Sequence, residues 1–325
     1  MTKIITRQVK SIFLITIALF SFSQSLSAQQ KLSFATLAPK ASTWGKLITE
    51  IVRETYSRSE KKILIQVYYG GVQGDEHEIE KKIRFKQIDG GFFTGNGLGT
   101  VAHEARILEI PGYVDSDNAE KIYEQMQPLL NRYFEKRGYV LLGLVEVGYA
   151  YFFSKREIPN IASIAKTKMW VWKGDQLASD MMSMLNIPAI AVDFTEVIPS
   201  LQTSLIDGVY ATPTALISLE WQKEVNYMLN LPITLVSSGI VFSKEKWESL
   251  PNSSKKIIQE VVSEKLKKYR PIMEKIDRES IEVLRQRGMK ILPPGNEKAN
   301  IEKNSDVIGK TFPKDLQDKI KSLKD

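Results

Sequence analysis

Ile88-Asp89-Gly90-Gly91-Phe92-Phe93-Thr94 returns downstream as Ile206-Asp207-Gly208-Val209-Tyr210-Ala211-Thr212. In both copies an apolar residue closes a helix, Asp-Gly makes a turn, and a short apolar strand follows. Asp-Gly alone is a common turn, so the weight lies in what precedes each copy. Before the first stands the strand Leu32–Leu37, stopped by Ala38-Pro39, and then a segment that places Trp44, Leu47, Ile48, Ile51, Val52 and Tyr56 on one helical face. Ser42 or Thr43 offers its cap. The strand Ile63–Tyr69 ends in Gly70-Gly71, and a charged helix from Asp75 to Phe85 leads into the strand Gly91–Thr94. Before the second copy, the strands Met169–Trp172 and Ala189–Val192 alternate with helices over Leu177–Leu185 and Glu196–Leu205, and the strand Val209–Thr212 closes the unit. A β-α-β-α-β order written twice predicts an α/β protein of two lobes, each a mostly parallel sheet flanked by helices.

Two such lobes joined by extended crossings leave a cleft, and ligands of open parallel sheets sit beyond the carboxyl ends of the strands. Thr94 and Thr212 are expected to face it. The first crossing is read as the strand Tyr139–Val147 running on to Phe153, the second as Ser238–Ser243. Lys244–Arg287 is strongly helical and interrupted only by Pro271, which lacks a backbone donor and predicts a kink or break. The predicted plan is a leader at 1–28, lobe I from 29–148 and 238–270, lobe II from 149–237, and a helical segment over 271–325 that braces both lobes.

The leader expectation rests on Lys3, Arg7 and Lys10, followed by the apolar run Ile12–Phe22 and then small residues, the pattern of an export signal. That run is too short to span a bilayer, which takes roughly 20 residues. Cleavage is expected near Gln29, giving a periplasmic chain. Removing the leader takes three of the 45 Lys and Arg and none of the 38 acidic residues, so the net charge falls from +7 to +4. The remaining basic residues are interspersed with acids along the helices, which describes a solvated surface and argues against nucleic acid as a partner. There is no cysteine, hence no disulfide and no thiol for a lipid anchor.

A search for chemistry finds little. The acidic run Asp75-Glu76-His77-Glu78 splays over different helix faces and reads as an exposed charged helix rather than a metal site. Ser237-Ser238-Gly239 lacks the nucleophile-elbow spacing, and no acid–base pair stands out, so neither catalysis nor a cofactor is expected. Gly95-Asn96-Gly97-Leu98-Gly99 reads either as a flexible turn or as a nest whose amides converge on an anion. Aromatic residues are the most distinctive feature: Tyr149, Tyr151, Phe152 and Phe153 end one crossing, Tyr210 ends a strand, and Trp170 and Trp172 share a strand face.

From about Lys31 to Lys290 the chain resembles the extracytoplasmic solute receptors of TRAP transporters. The carrying segments are Leu32–Pro39 with Trp44, the turn Tyr69-Gly70-Gly71-Val72-Gln73-Gly74, Ile88-Asp89-Gly90, Ile107-Leu108-Glu109-Ile110-Pro111-Gly112-Tyr113, Val192-Asp193-Phe194-Thr195-Glu196-Val197, Leu201–Gly208, and Phe242-Ser243-Lys244-Glu245-Lys246-Trp247. The resemblance implies a two-lobed periplasmic binding protein fold with a long helix spanning both lobes, a small-molecule ligand, and membrane permease subunits as partners. It is strongest to a divergent branch associated with tetratricopeptide-repeat lipoproteins, which implies such a lipoprotein as a further partner.

Departures from the family pattern bear on the ligand. Members that bind organic acids read K-x-R-V at the strand beginning Lys168, where the Arg clamps a carboxylate bidentately; here that position is Trp170. After the Asp-Gly turn they carry Q-E-N-P, where this chain has Tyr210-Ala211-Thr212-Pro213, and a further Arg is matched by Ala150. An indole offers one neutral donor and a large apolar face. Trp44, Trp170, Trp172, Tyr149, Tyr151 and Tyr210 are therefore expected as ligand walls, with Thr94, Asn96 and Thr212 as polar contacts and an apolar or amphipathic ligand. The alternative is a small organic acid, such as a C4-dicarboxylate, held by Asn96, by the amides of Gly95–Gly99, or by an Arg such as Arg84.

Overall fold

The computed structural model describes residues 29–324, so the expected leader lies outside the described residues. Its strands, in chain order, are β1 (Gln30–Thr36), β2 (Ile63–Tyr68), β3 (Gly90–Thr94), β4 (Tyr139–Tyr149), β5 (Tyr151–Ser154), β6 (Met169–Trp172), β7 (Ala189–Val192), β8 (Gly208–Ala211), β9 (Tyr227–Leu229), β10 (Leu235–Ser243) and β11 (Lys290–Leu292). They form a sheet of order β2-β1-β3-β10-β4 and another of order β11-β9-β5-β8-β6-β7.

The repeated units are parallel: β1 pairs with β2 and β3, and β6 with β7 and β8. Antiparallel pairings come from the strands at the crossings, β10 with β3 and β4, and β5 with β8 and β9. Each sheet is therefore mixed. Helices cover the sheets because their apolar residues recur at helical spacing. In Thr43–Arg58, capped by Ser42 through a bond from the Gly45 amide, Leu47, Ile48 and Ile51 are buried, each worth about 1.5–3 kcal/mol relative to an exposed position.

Both sheets meet at a double crossing. The Ala150 amide donates to the Thr234 carbonyl, and the Ile233 amide donates to the Ala150 carbonyl, both at 2.9 Å. Leu235, Val236 and Ser237 already pair with β4, so they belong to the first sheet rather than to lobe II as expected. The C-terminal segment is likewise not purely helical, because β11 adds a parallel edge strand beside β9. Beyond it, the helix Lys298–Gly309 touches the helix Gln176–Met184 of the second sheet, while Lys314–Lys324 packs on Ala119–Lys136 beside the first.

The long helix is divided where the sequence reading saw no break and continues where a break was expected. Lys244–Ser249 stops at Leu250-Pro251, where the residue before proline is pushed into extended backbone. Asn252–Gln286 then runs for 35 residues without interruption through Pro271, about 50 Å at the α-helical rise. Burial of Tyr269 and Met273 on either side of the proline holds it there despite the missing donor. This helix lies along β4 and reaches the helix Pro213–Ser218 of the second sheet.

Asp277, buried on the long helix, ties the crossing together. Its carboxylate accepts from the Tyr149 amide at 3.2 Å and the Thr214 hydroxyl at 3.1 Å. Gly148, at φ +129°, lets that carboxylate approach: a Cβ there would stand 2.4 Å from Asp277 Cγ. Gly148→Ala is therefore expected to cost about 1–3 kcal/mol through backbone strain and overpacking. Denaturant unfolding measures it, and a loss below about 0.5 kcal/mol, the level of ordinary surface changes, would show that the crossing relaxes freely.

Candidate ligand-binding site

A cavity of about 210 Å³ lies between the sheets. It is bounded by the carboxyl ends of β1, β3, β6 and β8 and by the crossing residues Ala150 and Thr234, where parallel sheets place their ligands. Trp44, Thr94, Asn96, Trp170, Trp172, Tyr210 and Thr212 line it. Tyr149 and Tyr151 do not: the Tyr149 hydroxyl accepts from the Ser116 amide at 3.1 Å, and Tyr151 pairs with Ala211 inside the second sheet. Ala150 faces the cavity, and with side chains alternating along the chain its two neighbours turn away.

The aromatic wall is larger than the sequence reading expected. Trp170 stacks on Tyr210 with ring centroids 5.2 Å apart and meets Trp221 edge-on at 5.4 Å. Trp172 stacks on Phe194 at 5.0 Å. These spacings are those at which aromatic pairs attract beyond simple area burial. Phe194 and Trp221 were missed because each sits in a short 3-10 turn with no periodicity to point it inward. The Trp170 indole N–H is occupied, donating to the Val192 carbonyl at 3.0 Å. Thr212 is likewise engaged as a helix cap, accepting from the Ala215 amide.

Gly95–Gly99, read as either a flexible turn or an anion nest, opens a short helix, and the amides at its start are met by the protein itself. Glu76 Oε1 accepts from the Thr94 amide at 2.6 Å, and Oε2 accepts from the Thr94 hydroxyl at 2.7 Å and the Gly97 amide at 2.8 Å. Glu76 is fully buried, which overturns the reading of 75–78 as an exposed charged helix. Only Glu78 fits that description, paired at the surface with Lys81. Asp75 caps the helix, and His77 bridges the Thr100 hydroxyl to the Lys173 carbonyl across the cleft, each at 3.1 Å. Burial pushes the Glu76 carboxyl up to about 7, although its hydrogen bonds pull the other way.

The glycine spacing has a packing reason. A Cβ on Gly95 would stand 1.9 Å from Glu109 Oε1, on Gly97 2.5 Å from Glu76 Oε2, and on Gly99 2.7 Å from Arg106 Cγ. Glycines admit three charged side chains against this short helix, and one of them is the arginine that sequence reasoning did not find. Arg84 is exposed and paired with Glu80, away from the cavity. Arg106 is buried in the wall. Its Nη1 contacts Glu109 at 2.6 Å, and its Nη2 donates to both oxygens of Asp175 at 3.0 Å across the cleft. Glu109 also accepts from the Ser237 amide at 2.7 Å. Burial works against the guanidinium charge, but Asp175 and Glu109 hold its pKa above the ordinary value. Burial pushes the Glu109 carboxyl up, and the Arg106 guanidinium and the Ser237 amide pull against that shift.

Among the described residues, no group of three or more His, Cys, Asp or Glu is placed to hold a metal. No described helix is long and apolar enough to cross a membrane.

Two sheets joined by paired crossings, with an aromatic cavity at their strand ends, define a two-lobed binding protein. The chain belongs to the bacterial extracellular solute-binding proteins, family 7 (DctP), whose family model matches residues 34–315. Among curated proteins it is similar to a solute-binding protein of Chromohalobacter salexigens, 21% identical over 252 residues, which are 76% of this chain and 74% of that one. Solved structures share the fold. A TRAP periplasmic solute-binding protein of Desulfovibrio salexigens with bound orotic acid superposes with TM-score 0.83 at 17% identity, covering 91% of this chain and 100% of that one. DctP7 of Bordetella pertussis, an extracytoplasmic solute receptor binding pyroglutamic acid, gives 0.84 at 16% over the same shares. A Pseudomonas putida F1 protein with bound D-glucuronate gives 0.83 at 19%, covering 90% and 96%.

Proposed function

We propose that this protein is the periplasmic solute receptor of a TRAP transporter, that it closes around a largely apolar ligand, and that it delivers the ligand to membrane permease subunits without chemical change. Family membership and fold support the receptor role. Periplasmic delivery follows from the family and from the leader pattern at 1–28.

One observation carries the choice of ligand: the cavity wall is a cluster of Trp170, Trp172, Phe194, Tyr210 and Trp221, while Arg106, the sole cation among its described lining residues, is already paired with two carboxylates. An acid such as those bound by the similar structures has no free cation to meet. An apolar group gains roughly 25 cal/mol for each Å² removed from water. The tetratricopeptide-repeat lipoprotein partner rests on resemblance alone, and co-purification with the native chain is its test.

Native mass spectrometry of protein from a periplasmic extract tests the reading. The expected spectrum shows a chain beginning near residue 29 carrying a hydrophobic molecule released by organic solvent. Tight binding of D-glucuronate or a C4-dicarboxylate, with nothing apolar retained, would refute the apolar ligand and favour the organic-acid alternative.

A further inference from the structure

Among the described residues that line the cavity, three side-chain donors have no hydrogen-bond partner: Trp44 Nε1, Asn96 Nδ2 and Trp172 Nε1. All three side chains are at least nine-tenths buried. They come from both sides of the cleft, Trp44 and Asn96 beside the first sheet and Trp172 from the second. A buried donor without a partner carries an uncompensated desolvation cost, so native interiors rarely leave one and rarely gather several. The indole N–H groups only donate, and the Asn96 amide nitrogen only donates, so what completes each of them is an acceptor.

The charges of the wall bear on what kind of acceptor this is. Glu76, Glu109 and Asp175 line the cavity with a single cation, Arg106, whose Nη1 and Nη2 are engaged by Glu109 and Asp175. The anion-binding amides of Thr94 and Gly97 are taken by Glu76. At pH 8, above the point near pH 7 at which Glu76 ionises, a ligand carboxylate would enter a low-dielectric space lined by three carboxyl groups and one cation, where like charges repel strongly. A neutral oxygen would bring an acceptor to such a donor without that repulsion.

Resting on the apolar-cavity reading, we propose that the site recognises an uncharged hydrogen-bond acceptor, such as an amide, ester or ketone oxygen, on an apolar body, and that its own carboxylates exclude acidic solutes. Glu76 occupies the place an acidic ligand would take. Specificity is then set from both sides, by donors that attract the neutral oxygen and, once Glu76 ionises above about pH 7, by negative charge that rejects the anion.

Four of the five tryptophans line the cavity, so their fluorescence reports occupancy directly. Naphthalene, 2-naphthamide and 2-naphthoate share one apolar body and differ only in the polar end; decane, decanamide and decanoate repeat the comparison on a chain. At pH 8, the amide of at least one series is expected to bind at least tenfold tighter than its carboxylate and several-fold tighter than its hydrocarbon. Trp172→Phe and Asn96→Leu, which remove the donors, should reduce the ratio of amide to hydrocarbon affinity, and thermal unfolding shows that the variants fold. Carboxylates binding as tightly as amides, or an amide advantage unchanged in both variants, would overturn the inference and leave the apolar reading standing. Failure of every hydrocarbon and amide to quench would overturn the apolar reading itself, and the inference with it.

Discussion

Arg106→Met is expected to destabilise the protein by about 3–5 kcal/mol at pH 8, the cost of leaving buried carboxylates without their cation. Methionine keeps most of the side-chain length, so the loss reports charge rather than a cavity. Two carboxylates are stranded, and they differ. Glu109 sits three residues from Arg106 on the same side of the cleft, whereas Asp175 reaches Arg106 from the opposite side. Asp175→Asn should therefore cost less than Arg106→Met and should act on lobe closure, visible as a larger radius of gyration in X-ray scattering of the ligand-free protein.

The pH dependence gives the sign. Burial already pushes the Glu109 carboxyl up, and without Arg106 nothing but the Ser237 amide opposes it. A carboxyl raised in the fold favours the folded state when protonated, so the deficit of Arg106→Met should be largest at pH 8 and shrink as the pH falls toward about 4.5. Denaturant unfolding at both pH values measures this. A loss under about 1 kcal/mol that does not change with pH would mean that the three groups are solvated, as surface ion pairs are.

The fold was legible because its signals are local. Two Asp-Gly turns, apolar runs of strand length and a helical face at Trp44, Leu47, Ile48 and Ile51 each need only a few neighbouring residues, and all of them appear where the pattern placed them. Departures arose where long-range packing overrode local chemistry. Pro271 stays in a continuous helix because that helix packs along β4 and the helices Thr43–Arg58 and Pro213–Ser218, and β11 becomes a strand only because β9 offers an edge. In the cavity, the tryptophans announced themselves by alternation along β6. Glu76, Arg106, Glu109 and Asp175 did not, since each lies in a segment that reads as ordinary surface or ordinary core, and their meeting depends on contacts between residues as far apart as Arg106 and Asp175. The available signal was the glycine spacing at 95, 97 and 99, which was read as a turn or a ligand nest. Its reason is steric: each missing Cβ makes room for one of the chain's own charged side chains.

Glu76 supplies the second large effect. Its carboxyl titrates near pH 7 in the fold against 4.5 for an ordinary glutamate, a difference equivalent to about 3 kcal/mol at 1.36 kcal/mol per unit. The folded state holds this proton more tightly than the unfolded chain does. Stability from this group is thus fully present below about pH 4.5 and is lost as pH rises through 7. Burial is the main cause, and the Asp75 carboxylate adds to it; the hydrogen bonds from Thr94 and Gly97 oppose it, and Arg106 is the cation that faces it. Asp277, raised to about 6 by burial, titrates with the same sign, so the wild-type profile contains both groups. Glu76→Gln removes one of them. Its stability relative to wild type is expected to improve by about 3 kcal/mol between pH 4.5 and pH 8, while Asp277→Asn retains the Glu76 share and changes mainly below about pH 6. Parallel profiles for wild type and Glu76→Gln would mean that the carboxyl is solvated, and the self-filled nest would then not exist in solution. A converging pair of curves would place an ionisable group of the protein's own where an acidic solute would otherwise sit.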